Sequence, residues 1–414
     1  MPRRVRHKIG IALAGGGPLG AIYEIGALVA LQDAMKDVDF VGCDVYVGVS
    51  SGGVIAAGLA NGITPRDIHA MFIENETSAE AFDPEILLRP AFGEYLSRLA
   101  SLPLLATQAL QHWVSDPFSK GFLASFQRLG RAIPTGIFDN AGFSTFLRRL
   151  LTAPGRTDDF RELPHKLFVV ATDLDSGRAV PFGDRGWDHV PISVAVQASA
   201  ALPGLFPPVD IDGRHYVDGA LMKTLHASVA LKEGAKLLIC VNPLVPFDAD
   251  LTLDDDDGWG ERVSLLARGL PAVMSQTFRA IIHSRMKVGM DRYRTEYPDA
   301  DVLLFEPDRA DAEMFFANIF SYASRKRLAQ HAYDRTLADL RRRRDQLVPI
   351  LARHGVGLDE SLLDGRRHLI DARSPPLHRR RRPTHRVTAD LGRALDRLDT
   401  VLKRRTPAET EPTS

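Results

Sequence analysis

The sequence of 414 residues has little cysteine, no net charge and no long apolar run. Its only two cysteines, Cys43 and Cys240, lie in apolar, strand-like stretches, which excludes a disulfide framework and favours buried thiols in a reducing compartment. Basic and acidic residues both number 52, so the overall charge gives no reason to expect a nucleic-acid partner. No apolar stretch approaches the roughly 20 residues of a membrane-spanning helix. Any contact with lipid is therefore expected to be made from the protein surface.

The beginning of the chain resembles a signal peptide only in part. Four basic residues among positions 3–8 precede a short apolar segment, residues 9–14, which runs directly into three glycines. A signal peptide has a longer apolar region, so this segment predicts the first strand of the fold instead. We therefore expect a cytoplasmic protein, in peripheral contact with a membrane at most.

Strand-like and helical segments alternate along most of the chain. Strands are predicted at residues 8–13, 45–47, 166–172, 209–217 (folded at Asp212-Gly213), 236–241 and 301–305. Helices are predicted at residues 21–35, 54–60, 191–201 and 226–232. This alternation predicts an α/β fold with a mostly parallel central sheet that is covered by helices on both faces.

Two parts of the chain depart from this alternation. Residues 76–135 have helical spacing interrupted by prolines, which predicts a helical insertion within a catalytic domain of residues 1–310. Its aromatic side chains form either a lid or the insertion's own core. Residues 311–355 predict a helical C-terminal extension, ending at Gly355. The composition of residues 356–414 predicts a basic, partly disordered tail that could include an amphipathic helix. This tail is expected either to contact an anionic membrane peripherally or to remain solvated.

A serine lies at a sharp turn between the second strand and the next helix. Residues 48–52 read Gly-Val-Ser-Ser-Gly, directly after the apolar run 45–47 and before the small-residue stretch 54–60. A nucleophilic serine needs such a strained turn, and Gly48 and Gly52 would let strand and helix approach closely. The position of Ser50 therefore predicts a nucleophile elbow, although the same pattern also occurs in structural turns.

Glycines follow the first strand as well. Gly15, Gly16 and Gly17 offer backbone amides to an oxyanion. Gly15, Gly17 and Gly20 also satisfy the Gly-x-Gly-x-x-Gly spacing of a dinucleotide loop, so nucleotide binding stays open as an alternative. The second strand, however, does not end in an acidic residue that could bind a ribose, and no Gly-Lys-Ser/Thr follows.

The base that would activate the serine is harder to find. The histidines are scattered and lie in no strong motif. Asp218 follows the predicted strand and precedes Gly219, which places a carboxylate at a strand end next to a flexible turn. It is either a catalytic base or an ordinary turn residue.

Several motifs together resemble the patatin-like phospholipases. They occur in the order of that family, over roughly residues 8–245: the glycine loop 15–20, the elbow 48–52, the strand end 171–174, Ala-Ser-Ala-Ala-Leu-Pro at 198–203, and Asp-Gly-Ala at 218–220. The resemblance implies acyl-ester hydrolysis by a Ser-Asp dyad without a metal or other cofactor. It implies that Ser50 is the nucleophile, that Asp218 is the base, and that the amides of Gly15, Gly16 and Gly17 form the oxyanion hole. Gly20, Gly48, Gly52 and Gly219 would support these turns.

One position departs from the family's pattern. The glycine loop of the family usually has Arg or Lys before its last glycine, whereas this chain has Leu19. The resemblance as a whole implies a lipid acyl hydrolase of phospholipase A type. Because Leu19 removes a positive charge near the anion or a lipid phosphate, phospholipids are less strongly indicated relative to neutral acyl esters. The alternatives are a thioesterase, a polyester depolymerase or an acyltransferase with the same dyad, or a catalytically weak lipid-binding protein.

Overall fold

The computed structural model describes residues 7–74, 135–248, 269–317 and 324–364, together with residues 250 and 265. The predicted insertion, apart from residue 135, lies outside the described residues. The basic tail lies outside them from residue 365 onward.

A mixed sheet of eight strands forms the centre of the described part, with a separate two-stranded pair of β2 and β10. The strands are β1 Ile9–Leu13, β2 Met35–Lys36, β3 Val45–Val49, β4 Lys166–Asp173, β5 Arg178–Phe182, β6 Val209–Ile211, β7 Arg214–Asp218, β8 Leu237–Val241, β9 Asp301–Phe305 and β10 Gly357–Leu358. The order across the sheet is β6-β7-β4-β3-β1-β8-β9, and β5 also pairs with β4. The strands predicted from the sequence are all present, whereas β5, β2 and β10 were not predicted.

The sheet is parallel over most of its width and antiparallel at one side. Strands β4, β3, β1, β8 and β9 run parallel to one another. Strands β5 and β7 run antiparallel to β4, and β6 is antiparallel to β7. The predicted hairpin at Asp212-Gly213 joins β6 to β7. The mostly parallel sheet expected from the sequence is therefore confirmed.

Helices connect the strands and follow them. They are α1 Gly17–Ala34, α2 Ser51–Ala60, α3 Pro65–His69, α4 Ala141–Leu151, α5 Ile192–Ser199, α6 Ser228–Lys232, α7 Gly269–Glu296, α8 Ala312–Phe315, α9 Arg325–Arg342, α10 Arg344–Arg353 and α11 Glu360–Asp364.

Two helical predictions need correction, and one helix was missed. Helix α1 begins at Gly17, so the end of the glycine loop is its first turn. The predicted run 311–354 is not one continuous helix but contains α8, α9 and α10. Helix α7, the 28-residue helix before β9, was not predicted at all.

Hydrophobic cores lie on both faces of the sheet because alternate strand residues point to opposite sides. Ile11 and Leu13 belong to the core beneath α1, α2, α5 and α9, whereas Ala12 belongs to the core beneath α6 and α7. Helix α9 packs closely on α1, since a Cβ added to Gly26 would lie 2.4 Å from the Ala329 carbonyl oxygen. The helices after residue 311 thus share a core with the strands of the sheet.

Candidate active site

Ser50 lies in a strained backbone turn between β3 and α2. Its φ of 51° and ψ of −122° define a backbone conformation that a residue with a side chain rarely adopts. The neighbouring glycines make this turn sterically feasible. A Cβ at Gly48 would lie 2.5 Å from the Gly53 Cα, and one at Gly52 would lie 2.5 Å from the Ala14 carbonyl oxygen. The strand, sharp turn and helix expected around Ser50 are therefore present, and Ser50 is 6% exposed.

The backbone of Ser50 is held by a buried serine on α5. The Ser50 amide donates to Ser199 Oγ at 2.7 Å, and Ser199 Oγ donates to the Val170 carbonyl oxygen at 2.6 Å. Helix α5, β4 and the elbow are thus joined by one hydroxyl. Ser199 belongs to the motif at 198–203, but its contact with Ser50 could not be predicted because 149 residues separate the two serines along the chain.

Ser199→Ala is expected to lower both stability and the reactivity of Ser50. Two buried backbone groups would lose their partner, which costs about 1–3 kcal/mol of the free energy of unfolding. If the turn shifts, the Ser50 hydroxyl should react about ten- to a hundredfold more slowly with a fluorophosphonate. Ser193→Ala is the matched control, since this buried serine of the same helix bonds Asp158 instead. Equal loss of reactivity in both variants would contradict a positioning role for Ser199.

The register of the sheet brings Asp218 to Ser50. Val49 pairs with Val170 of β4, so Ser50 follows at the level of Ala171, and Ala171 also pairs with Asp218 on the other side of β4. Two strand spacings of about 4.8 Å separate the two backbones. Side chains that point to the same face can bridge this gap. Because β7 runs antiparallel to β4, its last residue reaches the elbow.

Asp218 is a buried carboxyl group with few polar partners. It is 3% exposed, and its Oδ1 accepts the Ala220 amide at 2.8 Å. Burial raises the pKa of Asp218 from its ordinary 3.8 to about 6, although hydrogen bonds from the Ala220 amide and the Ser50 side chain oppose this rise. The carboxylate at neutral pH is therefore a stronger base than an exposed aspartate.

The turn after Asp218 is closely packed, which holds the carboxyl group in place. A Cβ at Gly219 would lie 2.1 Å from the Val170 carbonyl oxygen, so no other residue fits. The Asp218 amide donates to the Ala201 carbonyl oxygen at 3.0 Å. The His226 ring lies 3.4 Å from the Gly219 carbonyl oxygen, and burial lowers its pKa to about 4. This histidine is neutral at physiological pH and contacts the turn rather than the carboxyl group.

The glycine loop lies beside the elbow. A Cβ on Gly15 would lie 3.1 Å from Ser50 Cβ, and one on Gly16 would lie 2.6 Å from Pro243 Cγ. Gly17 has a positive φ of 61° and begins α1, and a Cβ on Gly20 would lie 2.9 Å from Pro243 Cγ. Among the described residues, no group accepts a hydrogen bond from the amides of residues 15–17. These amides stand at the positive end of the α1 dipole, next to Ser50.

A pocket borders the glycine loop at the position where the sequence departs from the family's pattern. Leu19, Gly20, Arg279 of α7 and Phe315 are among the residues that line this shallow pocket, which is open to solvent. The Arg279 guanidinium lies 5.0 Å from the Phe315 ring centroid, and burial lowers its pKa to about 10. A cation thus lies in the same pocket as Leu19, but from a distant part of the sequence.

A buried acid lies one helical turn beyond the loop. Glu24 of α1 is fully buried, and burial raises the pKa of its carboxyl group well above the usual range. A contact with the Ala14 backbone opposes this rise. The hydroxyl of Ser51 has no hydrogen-bond partner among the described residues. Sequence reasoning did not single it out, because the glutamate has no motif around it.

Metal binding has no obvious place in the described part of the chain. In residues 7–74, 135–248, 269–317 and 324–364, no three His, Cys, Asp or Glu side chains are grouped so that they could bind a metal ion.

None of the helices in the described part of the chain has an apolar stretch long enough to cross a membrane.

The mixed sheet with a serine elbow, a buried aspartate and a glycine loop defines an α/β protein of nucleophile-elbow architecture. Residues 11–231, more than half of the chain, match the family described as patatin-like phospholipase. The chain therefore belongs to the patatin-like phospholipase family, whose members act on lipids as acyl hydrolases.

Relatives and solved structures resemble this chain over different lengths. Uncharacterized NTE family proteins of Mycobacterium bovis and Mycobacterium tuberculosis are 37% identical over 81 residues, which is 20% of this chain and 21% of theirs. The match thus spans about a fifth of the length of these curated relatives. VipD from Legionella pneumophila is 16% identical, with a TM-score of 0.37 over 80% of this chain and 66% of VipD. The type III effector ExoU is 16% identical, with a TM-score of 0.35 over 81% of this chain and 53% of ExoU.

Proposed function

We propose that the protein is a serine acyl-ester hydrolase that acts on lipids through Ser50 and Asp218. The observation that carries this proposal is the strained, glycine-flanked turn of Ser50 beside a buried carboxyl group with a pKa of about 6. Membership of the patatin-like phospholipase family supports the same reaction class.

The reaction would proceed in two halves. Asp218 accepts the proton of the Ser50 hydroxyl while Ser50 Oγ attacks the ester carbonyl carbon. The amides of Gly15, Gly16 and Gly17 stabilise the negative oxygen of the tetrahedral intermediate. The alcohol leaves with the proton from Asp218, and an acyl group remains on Ser50. Asp218 then accepts a proton from a water molecule while the water oxygen attacks the acyl carbonyl carbon. The bond to Ser50 Oγ breaks as Asp218 returns the proton to Ser50, which releases the fatty acid and restores the starting enzyme.

Labelling with a fluorophosphonate tests whether Ser50 is an activated hydroxyl. We expect one adduct, located on Ser50 by mass spectrometry of the digested protein, and none in Ser50→Ala. Ser51→Ala is the matched control, because this neighbouring serine is also buried but is not the proposed nucleophile. Labelling of Ser51, or no labelling of the folded parent protein, would contradict the proposal and favour a non-catalytic lipid-binding protein.

A substrate panel separates the reactions that share this mechanism. Glycerophospholipids, acyl thioesters and polyesters would be compared at equal protein concentration, with an added acceptor alcohol to detect acyl transfer. The highest kcat/KM is expected for a lipid carboxylic ester. A preference for thioester or polyester, or a transfer product in place of free acid, would assign one of the alternative reactions.

A further inference from the structure

Helix α7 extends beyond the part of the protein that it covers. Its 28 residues are about 42 Å long, whereas the five residues of β8 span only about 17 Å. Met286 and Tyr293 are buried, and Met290 packs on the same core. Before Met286, none of the helix side chains that the structure describes is buried. The first half of α7 is thus a projecting segment rather than a cover for the sheet.

This projecting half lies at the edge of the sheet that holds Ser50 and Asp218. The Gln276 side chain bonds both backbone groups of Phe247, at 3.0 and 2.6 Å, in the segment that follows the end of β8. Arg285 Nη1 donates to the carbonyl oxygen of Leu221 at 3.2 Å. Leu221 is three residues after Asp218. The helix is therefore fixed between two segments that border the candidate active site.

The outer face of α7 is apolar and exposed to solvent. Its large apolar side chains are between 47 and 70% exposed and recur at intervals of three, four and seven residues, so they share one side of the helix. We call them the apolar face: Leu270, Met274, Phe278, Ile281 and Val288. A row of five large side chains is more than the scattered exposed residues of an ordinary surface.

The charges around the apolar face have one sign. The exposed charged residues of positions 269–288 are Arg285 and Lys287, and this stretch contains no aspartate or glutamate. The acidic residues of the helix, Asp291 and Glu296, lie in the half that packs on the sheet and pair with neighbouring arginines. A helix with exposed apolar side chains and flanking bases is typical of segments that lie in the interface of an anionic bilayer.

Exposed apolar side chains also lie across the candidate site from α7. Leu202 and Leu205 are in the loop whose Ala201 carbonyl accepts the Asp218 amide, and Ile137 is next to Phe138, whose amide donates to Leu205. Exposed apolar groups therefore also lie on segments next to Asp218.

We propose that the apolar face of α7 docks on the surface of a bilayer containing anionic phospholipid. The side chains enter the region between headgroups and acyl chains, and the bases lie among the phosphates. This orientation turns the edge with Ser50 and Asp218 towards the membrane, so a lipid could reach the serine without crossing water. The biological purpose of this docking rests on the proposed function, but the docking itself can be measured without catalysis.

Flotation with vesicles tests the docking in the full-length protein. We would compare vesicles of phosphatidylcholine alone with vesicles that also contain phosphatidylglycerol, using Ser50→Ala so that lipid is not consumed. Combining Phe278→Ser with Ile281→Ser should weaken partitioning to the anionic vesicles at least about tenfold, because each side chain loses apolar transfer free energy. Val348→Ser, an exposed apolar residue on α10, is the matched control and should bind as the parent does.

Fluorescence provides a second measurement that does not depend on loss of binding. Phe278→Trp should shift its emission to shorter wavelength and be quenched by brominated lipid when anionic vesicles are added, whereas Val348→Trp should not. The proposal would be overturned if the parent protein did not float with anionic vesicles, or if the double variant floated equally well. It would also be overturned if the double variant dissociated an oligomer and no vesicle binding occurred. Vesicle binding by a protein that fluorophosphonate does not label would instead refute the proposed hydrolase and leave the docking intact.

Discussion

Asp218→Asn is expected to abolish ester hydrolysis and, at the same time, to stabilise the fold. Asparagine cannot accept the proton of Ser50, so kcat should fall by several powers of ten, as for other nucleophile and base pairs. The amide oxygen still accepts the Ala220 amide, which limits the structural change. Loss of activity would therefore not result from unfolding.

The gain in stability follows from the buried charge. The pKa of Asp218 is about 6 in the folded protein and near 3.8 in an exposed aspartate. The folded state thus binds the proton more tightly than the unfolded state, and the carboxylate destabilises the fold by up to about 3 kcal/mol at neutral pH. This penalty is fully present above about pH 6, decreases as the pH falls, and is absent below about pH 4.

Denaturation at two pH values measures this effect. Asp218→Asn should raise the free energy of unfolding by about 1–3 kcal/mol at neutral pH and much less near pH 4. Ser50→Ala is the control, because it also removes catalysis but leaves the carboxylate buried, so it should not stabilise the protein. Retained hydrolysis in Asp218→Asn would refute the dyad, and a gain independent of pH would refute the raised pKa.

Gly52→Ala is expected to disrupt the elbow, whereas Gly53→Ala, one position further along α2, is expected to be tolerated. A Cβ at Gly52 would lie 2.5 Å from the Ala14 carbonyl oxygen and 2.6 Å from the Leu13 carbonyl carbon. Both are backbone atoms at the end of β1, and they cannot rotate away. We expect a loss of roughly 2–4 kcal/mol and hardly any fluorophosphonate labelling.

The neighbouring glycine offers a closely matched comparison. At Gly53 the first contact of an added Cβ is the Val169 Cγ1 atom at 3.4 Å, an ordinary distance to a side chain. Since alanine favours helix over glycine, Gly53→Ala should leave stability unchanged or raise it by up to about 1 kcal/mol. Chemical denaturation of both variants decides the matter. Similar stability for the two would mean that α2 can move away from β1.

Much of the fold could be predicted because the signals are local. The elbow at Ser50 and the hairpin before Asp218 each combine apolar strand residues with glycine or another turn residue within a few positions. The run 311–354 was predicted as continuous because its charged and apolar residues keep helical spacing across the breaks. Helix α7 was missed because its exposed and its buried apolar residues lie on different sides, so no single apolar side marks it in the sequence.

The assembly of the candidate site could not be predicted from local signals. Nothing near Asp218 indicates that β7 runs antiparallel to β4, although this direction brings the carboxyl group to the level of Ser50. The role of Ser199 likewise depends on α5 lying against the elbow. Arg279 lies in the pocket beside Leu19 only because α7 passes there. Each depends on contacts between residues far apart in sequence.

The pairing of both Ser50 and Asp218 with the level of Ala171 has a consequence for how this protein can evolve. The distance between the Ser50 and Asp218 side chains depends on a few residue pairs of β4 with β3 and β7, not on the length of chain between the two residues. A loop between these strands could change in length without altering that separation. One extra residue in the middle of β4 would instead shift one partner by about 3.3 Å relative to the other.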